Sequence, residues 1–358
     1  MSINRALIYV QTPHGVPEAG KDLQLVEQEP FDWEAPAPAG GLTAQVLYVA
    51  YDPTMRLHMM APKESKVFAP YEYGKPITNR IIAKVINRGD EARHPFQPGD
   101  LVSGYQPIQE YLVLDAGGAE RLSLTPSNPY GLDPRLFLGP LGPPGNVGYA
   151  SFYKLCEPQN GDVMLVSGAS GAVGQTVGQL AKREGMTVFA VVGSKEKAEE
   201  LCNNLGFDGA VNYKQGNLVE QIRRLAPNGI NVYYDNIGGE VLEAAIETMA
   251  NNGRIVACGF ASQYNKDFTQ QYGIRNTGLI IAKNIRWEGF STVPGCWVFD
   301  YTKEHQKNLQ VWIHEGSFKP VMTVTYGFDQ AIDGLVAMFR GQHMGKAVLD
   351  LTRASTEQ

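Results

Sequence analysis

The sequence predicts an α/β protein of two parts: a mostly β region, then a doubly wound parallel sheet covered by helices on both faces. Three observations carry this reading. Short apolar runs broken by Gly and Pro fill the first part, strands and helices alternate from Asp162 onward, and a glycine-rich turn joins the first strand of that alternation to its helix. A chain of 358 residues is also too long for one ordinary core and fits two.

The β region comes first. Ala44 to Val49 and Ile81 to Ile86 are strand-like, and Pro98-Gly99-Asp100 is a strong turn before Leu101 and Val102. The pattern suggests a compact, irregular β-barrel. Near Leu138 the texture changes, and Gly139 to Gly148 is Gly/Pro-rich. Val163 to Val166 is then a short apolar strand, Ala172 to Glu184 a helix, and Thr187 to Val192 a second strand. Lys195 to Leu205 is a helix stopped by Gly206, Ala210 to Tyr213 a third strand, and Leu218 to Ala226 a helix ending at Pro227. Asn231 to Asp235 is a fourth strand, Val241 to Ala250 a helix, and Gly253 to Cys258 a fifth strand. Helical spacing returns at Thr302 to His314 and Phe328 to Arg340, followed by a strand at Ala347 to Leu349. The last helix and strand are expected to fold back onto the first domain. The expected domains are residues 1–137 with 317–358, and residues 138–316.

Composition narrows the function. A net charge of −6 with no dense Lys/Arg run argues against nucleic acid as a partner. No stretch reaches the roughly 18 consecutive apolar residues of a membrane span. The start lacks a signal-peptide core, and Ala354 to Gln358 carry no anchor signal, so a soluble cytoplasmic protein is expected. Cys156, Cys202, Cys258 and Cys296 are far apart and form no CxxC, so small buried hydrophobes are expected of most of them. His58 has no nearby Cys or Glu set, and no metal is expected.

The central motif is Gly168-Ala169-Ser170-Gly171-Ala172-Val173-Gly174. Its context is a strand, a tight turn, a helix and another strand, which is that of a Rossmann dinucleotide site. Glycine lets the backbone approach a pyrophosphate, and the helix start offers unpaired N–H groups and a positive dipole end. An NAD site usually has Asp or Glu after the second strand to hold the ribose hydroxyls. Here Gly193 stands there, followed by Ser194, Lys195, Glu196 and Lys197. A hydroxyl and positive charge suit the 2′-phosphate of NADPH, with Lys197 the stronger candidate and Lys195 open between ligand and solvated surface.

Val166 to Gln175 resembles the glycine loop of the zinc-independent medium-chain dehydrogenase/reductases, in particular prostaglandin reductase, plant alkenal reductase and curcumin reductase. Further matches run through the chain, among them Asp52-Pro53-Thr54-Met55-Arg56, Asn212-Tyr213-Lys214, Tyr234 to Gly239, Glu288-Gly289-Phe290 and Gly345-Lys346. The resemblance implies a GroES-like barrel plus a Rossmann domain, NADPH, a small-molecule substrate, and a homodimer. Its reaction is reduction of a C=C bond conjugated to a carbonyl. It also implies that Gly168, Gly171, Ala172, Val173 and Gly174 hold the pyrophosphate, and that Ser194, Lys197 and Tyr213 meet the phosphate end. Asn236, Cys258, Gly259, Phe260, Tyr264, Phe290 and His343 would line the cofactor. Tyr264 would be the catalytic donor to the developing enolate oxygen, or only packing against the cofactor.

The substrate pocket implied by the resemblance is Thr54, Pro143, Val147 and Phe290. Three of these depart from the family pattern, with Thr54 in place of Tyr, Pro143 of Met and Val147 of Thr; His343 replaces Asn. A roomier pocket for a bulky substrate follows as an expectation. The alternatives are a quinone reductase, a tailoring enzyme of secondary metabolism, and a non-catalytic NADPH-binding protein.

Overall fold

The computed structural model describes residues 1–61, 68–266, 268–293 and 295–353; the terminal stretch read above for anchor signals lies outside them. The chain divides into two units, Met1–Leu138 with Met322–Gln358, and Gly139–Val321.

The first unit opens on an antiparallel pair, β1 (Arg5–Tyr9) and β2 (Leu23–Glu27). Its main sheet follows from β3 (Leu42–Ala50), past the short helix α1 (Met55–His58), through β4 (Thr78–Arg88), β5 (Leu101–Pro107) and β6 (Tyr111–Leu114). After α2 (Ala116–Ala119), β7 (Leu122–Leu124) completes this run. Alternation builds the core: Ile81, Ala83 and Val85 of β4 turn into one cluster with Leu42, Ala44 and Val46 of β3. Two register shifts between β3 and β4 bend the sheet.

The second unit begins with α3 (Pro143–Ser151). The helix starts inside the Gly/Pro-rich stretch Gly139 to Gly148. Pro143 and Pro144 occupy the first two helical positions, where a missing N–H costs nothing. Then follow β8 (Val163–Ser167), α4 (Ala172–Arg183), β9 (Thr187–Val192), α5 (Lys195–Leu205), β10 (Gly209–Asn212) and α6 (Leu218–Leu225). The unit continues with β11 (Ile230–Asp235), α7 (Gly239–Thr248), β12 (Met249–Ala257), α8 (Gly278–Ala282), β13 (Arg286–Gly289) and α9 (Thr302–His314). The six strands are parallel, in the order β10-β9-β8-β11-β12-β13. The order reverses at β8, so the C-terminal ends of β8 and β11 flank the crevice where such sheets bind ligands.

Two elements here escaped the sequence pattern. β12 starts at Met249 rather than Gly253, because Asn251-Asn252-Gly253 mimics a turn. Asn252 takes a φ of 59° and its N–H bonds the Lys283 carbonyl at 2.7 Å, within a strand whose register shifts. All four residues of β13 are exposed, so no apolar alternation marks it.

The chain then returns to the first unit with β14 (Met322–Tyr326), α10 (Ala331–Phe339) and β15 (Lys346–Asp350). β14 was not anticipated, although its residues alternate. It pairs in parallel with β15, which lies antiparallel on β3. Of the cysteines only Cys156 is fully buried; Cys202, Cys258 and Cys296 are intermediate, which corrects the expectation that most are buried. No helix among the described residues is long and apolar enough to cross a membrane.

Candidate functional site

The glycine turn forms an anion cradle. Gly168 follows β8 with a φ of 57°, and Gly171 caps α4 with extended backbone. No side chain bonds that cap, and the first turn holds no acid. The N–H groups of Ala172, Val173 and Gly174 therefore open outward at the positive end of the helix. Gly174 must lack a side chain: a Cβ there would lie 2.4 Å from the Gly168 carbonyl oxygen.

The opposite edge is tied by Asp235, a residue the sequence placed in a motif but gave no role. Its Oδ1 accepts from the Tyr233 hydroxyl at 2.8 Å, the Ser167 hydroxyl at 3.2 Å, and the N–H groups of Ile237 at 3.0 Å and Gly238 at 2.8 Å. Its carbonyl accepts the N–H groups of Cys258 at 2.9 Å and Gly259 at 3.0 Å. Asn236 donates through Nδ2 to the Ser167 carbonyl at 2.7 Å. The ends of β8, β11 and β12 are thereby locked together. Burial pushes the Asp235 carboxyl up, opposed by these hydrogen bonds.

At the end of β9, Ser194 caps α5 and accepts the Lys197 N–H at 3.3 Å. Burial, and then the neighbouring Lys214 charge, lower the Lys197 ammonium. The Lys214 ammonium stands 5.8 Å from the centre of the Tyr213 ring. Ser194, Lys197, Tyr213 and Lys214 thus make a small cationic corner. The sequence pattern missed Lys214, whose nearness to Lys197 depends on the pairing of β10 with β9. Lys195 turns outward and pairs with Glu199 at 3.2 Å.

Beyond Gly259, the Phe260 and Tyr264 rings meet edge to face at 4.8 Å. Burial pushes the Tyr264 phenol up to about 12 and the Cys258 thiol up to about 11, so both stay protonated at neutral pH. Phe290 follows β13, its ring 5.6 Å from that of Trp297. Pro143 and Val147 lie half-buried on α3, where the Val147 carbonyl accepts the Ser151 hydroxyl at 2.7 Å. Thr54 and His343 belong to the first unit: Thr54 is exposed before α1, and His343 is half-buried before Lys346. Lys346 is itself buried there, bonded to the Tyr51 carbonyl at 2.9 Å and to Asp52.

Among the described residues no three His, Cys, Asp or Glu side chains gather as a metal site. His58 bonds the Ala69 carbonyl at 2.7 Å and stacks on Tyr71.

One family model, described as the N-terminal domain of oxidoreductase, matches residues 5–122, and one described as zinc-binding dehydrogenase matches residues 172–303. The NADP-dependent oxidoreductase RED1 of Cochliobolus heterostrophus is 42% identical over 97% of this chain and 97% of its own. The chain belongs to the medium-chain dehydrogenase/reductase family. Within it, this is an NADPH-dependent oxidoreductase. The reductase is also 38% identical to the NADP(+)-dependent 2-alkenal reductase of Nicotiana tabacum, over 89% of this chain and 90% of that one. Among solved structures, CurA from Vibrio vulnificus superimposes with a TM-score of 0.84 at 26% identity, covering 98% of this chain and 99% of its own. The uncapped, acid-free start of α4 and the neighbouring charges of Lys197 and Lys214 fit a dinucleotide carrying an extra ribose phosphate.

Proposed function

We propose that this reductase uses NADPH to reduce the C=C bond of an α,β-unsaturated aldehyde or ketone, and that its substrate is bulky. The observation that carries this is the Tyr264 phenol, half-buried and protonated in the segment leaving the Cys258–Gly259 turn, in a chain akin to an alkenal reductase.

Gly168 and Gly171 to Gly174 would hold the pyrophosphate, and Ser194, Lys197, Tyr213 and Lys214 the ribose phosphate. Asn236, Cys258, Gly259, Phe260 and Phe290 would line the rest. NADPH, when bound, supplies a hydride for the β-carbon. Tyr264 then donates a hydrogen bond to the carbonyl oxygen as negative charge gathers there. The α-carbon takes its proton from the phenol or from water exchanging with it. A phenol held near 12 stays protonated until that charge develops. Thr54 and Val147 are smaller or less polar than their family counterparts, which supports a bulky substrate. We also propose a homodimer, supported by the exposed edge strand β13.

The test is NADPH oxidation with trans-2-alkenals, with large conjugated ketones, with quinones, and with no acceptor, the product identified by mass. A saturated carbonyl product is expected. Turnover of quinones alone, or NADPH binding without turnover, would overturn the reading.

A further inference from the structure

The tandem Gly238-Gly239 after Asn236 has no part in the scheme above. Both residues have positive φ, at 67° and 61°, and both are covered by the segment that carries Tyr264. A Cβ on Gly238 would meet the Phe260 Cβ at 3.2 Å. One on Gly239 would lie 2.6 Å from Gln263 Nε2 and 2.9 Å from the Ser262 hydroxyl. The pair therefore forms a socket at the start of α7.

Gln263 fills that socket. It is 6% exposed and adjoins Tyr264 in the chain. Its Nε2 donates to the Ser262 hydroxyl at 2.5 Å, and that hydroxyl donates to the Ile237 carbonyl at 2.7 Å. Its Oε1 accepts the Tyr272 N–H at 2.8 Å. Tyr272 is held in turn by Glu243 of α7, whose carboxylate accepts the Tyr272 hydroxyl and the Arg275 N–H, the latter at 3.0 Å. Arg275 and Tyr272 hold the Glu243 carboxyl down to about 2. The segment is thus pinned on both sides of Tyr264, at Ser262 to the Ile237 carbonyl in the turn before α7 and at Tyr272–Arg275 to Glu243 of α7.

We infer that Gln263 is a positioning residue: seated against Gly239, its amide sets where the Tyr264 phenol points. This rests on Tyr264 as the proton donor. A donor displaced by about 1 Å loses on the order of 100-fold in rate, so the socket has a direct consequence for turnover.

The experiment compares Gln263→Leu, Gln263→Glu, Gly239→Ala, Tyr264→Phe and the double variant Gln263→Leu/Tyr264→Phe. Two readouts are taken: kcat with trans-2-nonenal and NADPH, and the NMR signal of carbon-13 at the tyrosine Cζ, Tyr264 being assigned by its loss in Tyr264→Phe. In Gln263→Leu the Tyr264 signal is expected to move and kcat to fall on the order of 10-fold or more, with the NADPH dissociation constant within about threefold. Gln263→Glu, which keeps the acceptor for the Tyr272 N–H, should recover most of both changes. Gly239→Ala should reproduce the loss, and Gln263→Leu should cost nothing further in the Tyr264→Phe background. An unmoved Tyr264 signal in Gln263→Leu overturns the inference, as does an equal loss in the Tyr264→Phe background. If Tyr264→Phe alone keeps full turnover, the donor reading falls, whereas the NMR signal still decides whether Gln263 places the ring.

Discussion

The hydroxyl of Tyr213 lies 2.7 Å from the point where a Cβ on Gly193 would stand. Gly193 directly follows β9, the place where an NAD site carries an acid for the ribose hydroxyls. The tyrosine ring fills the space such a side chain would need. Glycine there and tyrosine after β10 are thus one feature, and an acid at that position would have to displace the Tyr213 ring.

Cofactor preference follows. Lys197→Ala should weaken NADPH by about 1.5–3 kcal/mol, the value of a hydrogen bond to a charged group, and barely change NADH. Gly193→Asp should displace the Tyr213 ring and reduce the NADPH preference further. Dissociation constants from nicotinamide fluorescence check both, and equal constants for the two cofactors in the parent would sink the argument.

Tyr264→Phe should cut kcat on the order of 100-fold while NADPH affinity holds, since a donor aimed at developing charge acts on the transition state. Steady-state kinetics with a conjugated ketone, alongside cofactor titration, measure the two separately. Unchanged turnover would reduce Tyr264 to packing.

His305 gives a pH dependence. It is buried, with Nε2 2.8 Å from the Pro140 carbonyl, and burial lowers its imidazole from 6.5 to about 4. The unfolded chain therefore binds a proton in that window that the folded chain refuses. The stabilisation is full above about pH 6.5 and is lost as pH falls toward 4, a contribution on the order of 3 kcal/mol. Tm measured across this range should fall more steeply for the parent than for His305→Gln. Parallel curves would show that His305 titrates normally.

Substrate size is the fourth expectation. The parent should have a higher kcat/KM for a large conjugated ketone than for a short 2-alkenal. Val147→Thr and Thr54→Tyr, each made alone, should shift the ratio toward the small substrate, by an amount on the order of 1–3 kcal/mol in apparent barrier. A parent that already prefers short alkenals would show the substitutions to be neutral.

The alternation between Val163 and Ala257 could be read directly, because a strand or helix declares itself through neighbours two to four residues away. The glycine turn was legible for the same reason, its strand, turn and helix being consecutive. β13 was not, since a wholly exposed strand has no apolar face to show, and β12 was misjudged where Asn252 imitates a turn. The start of α3 hid behind prolines that only a helix N-terminus tolerates.

The site divides along the same line. The glycines of residues 168–174 and the missing acid at Gly193 stand in the linear chain. That Lys214 joins Lys197, that Asp235 binds Ser167 to the Cys258 turn, and that Gln263 fills the space above Gly239 came only with the folded sheet and its loops. These partners lie up to about 70 residues apart, as the Asn236 to Ser167 separation of 69 shows. No short-range pattern encodes them: they meet because parallel strands, joined through helical crossovers, bring distant strand ends to one edge.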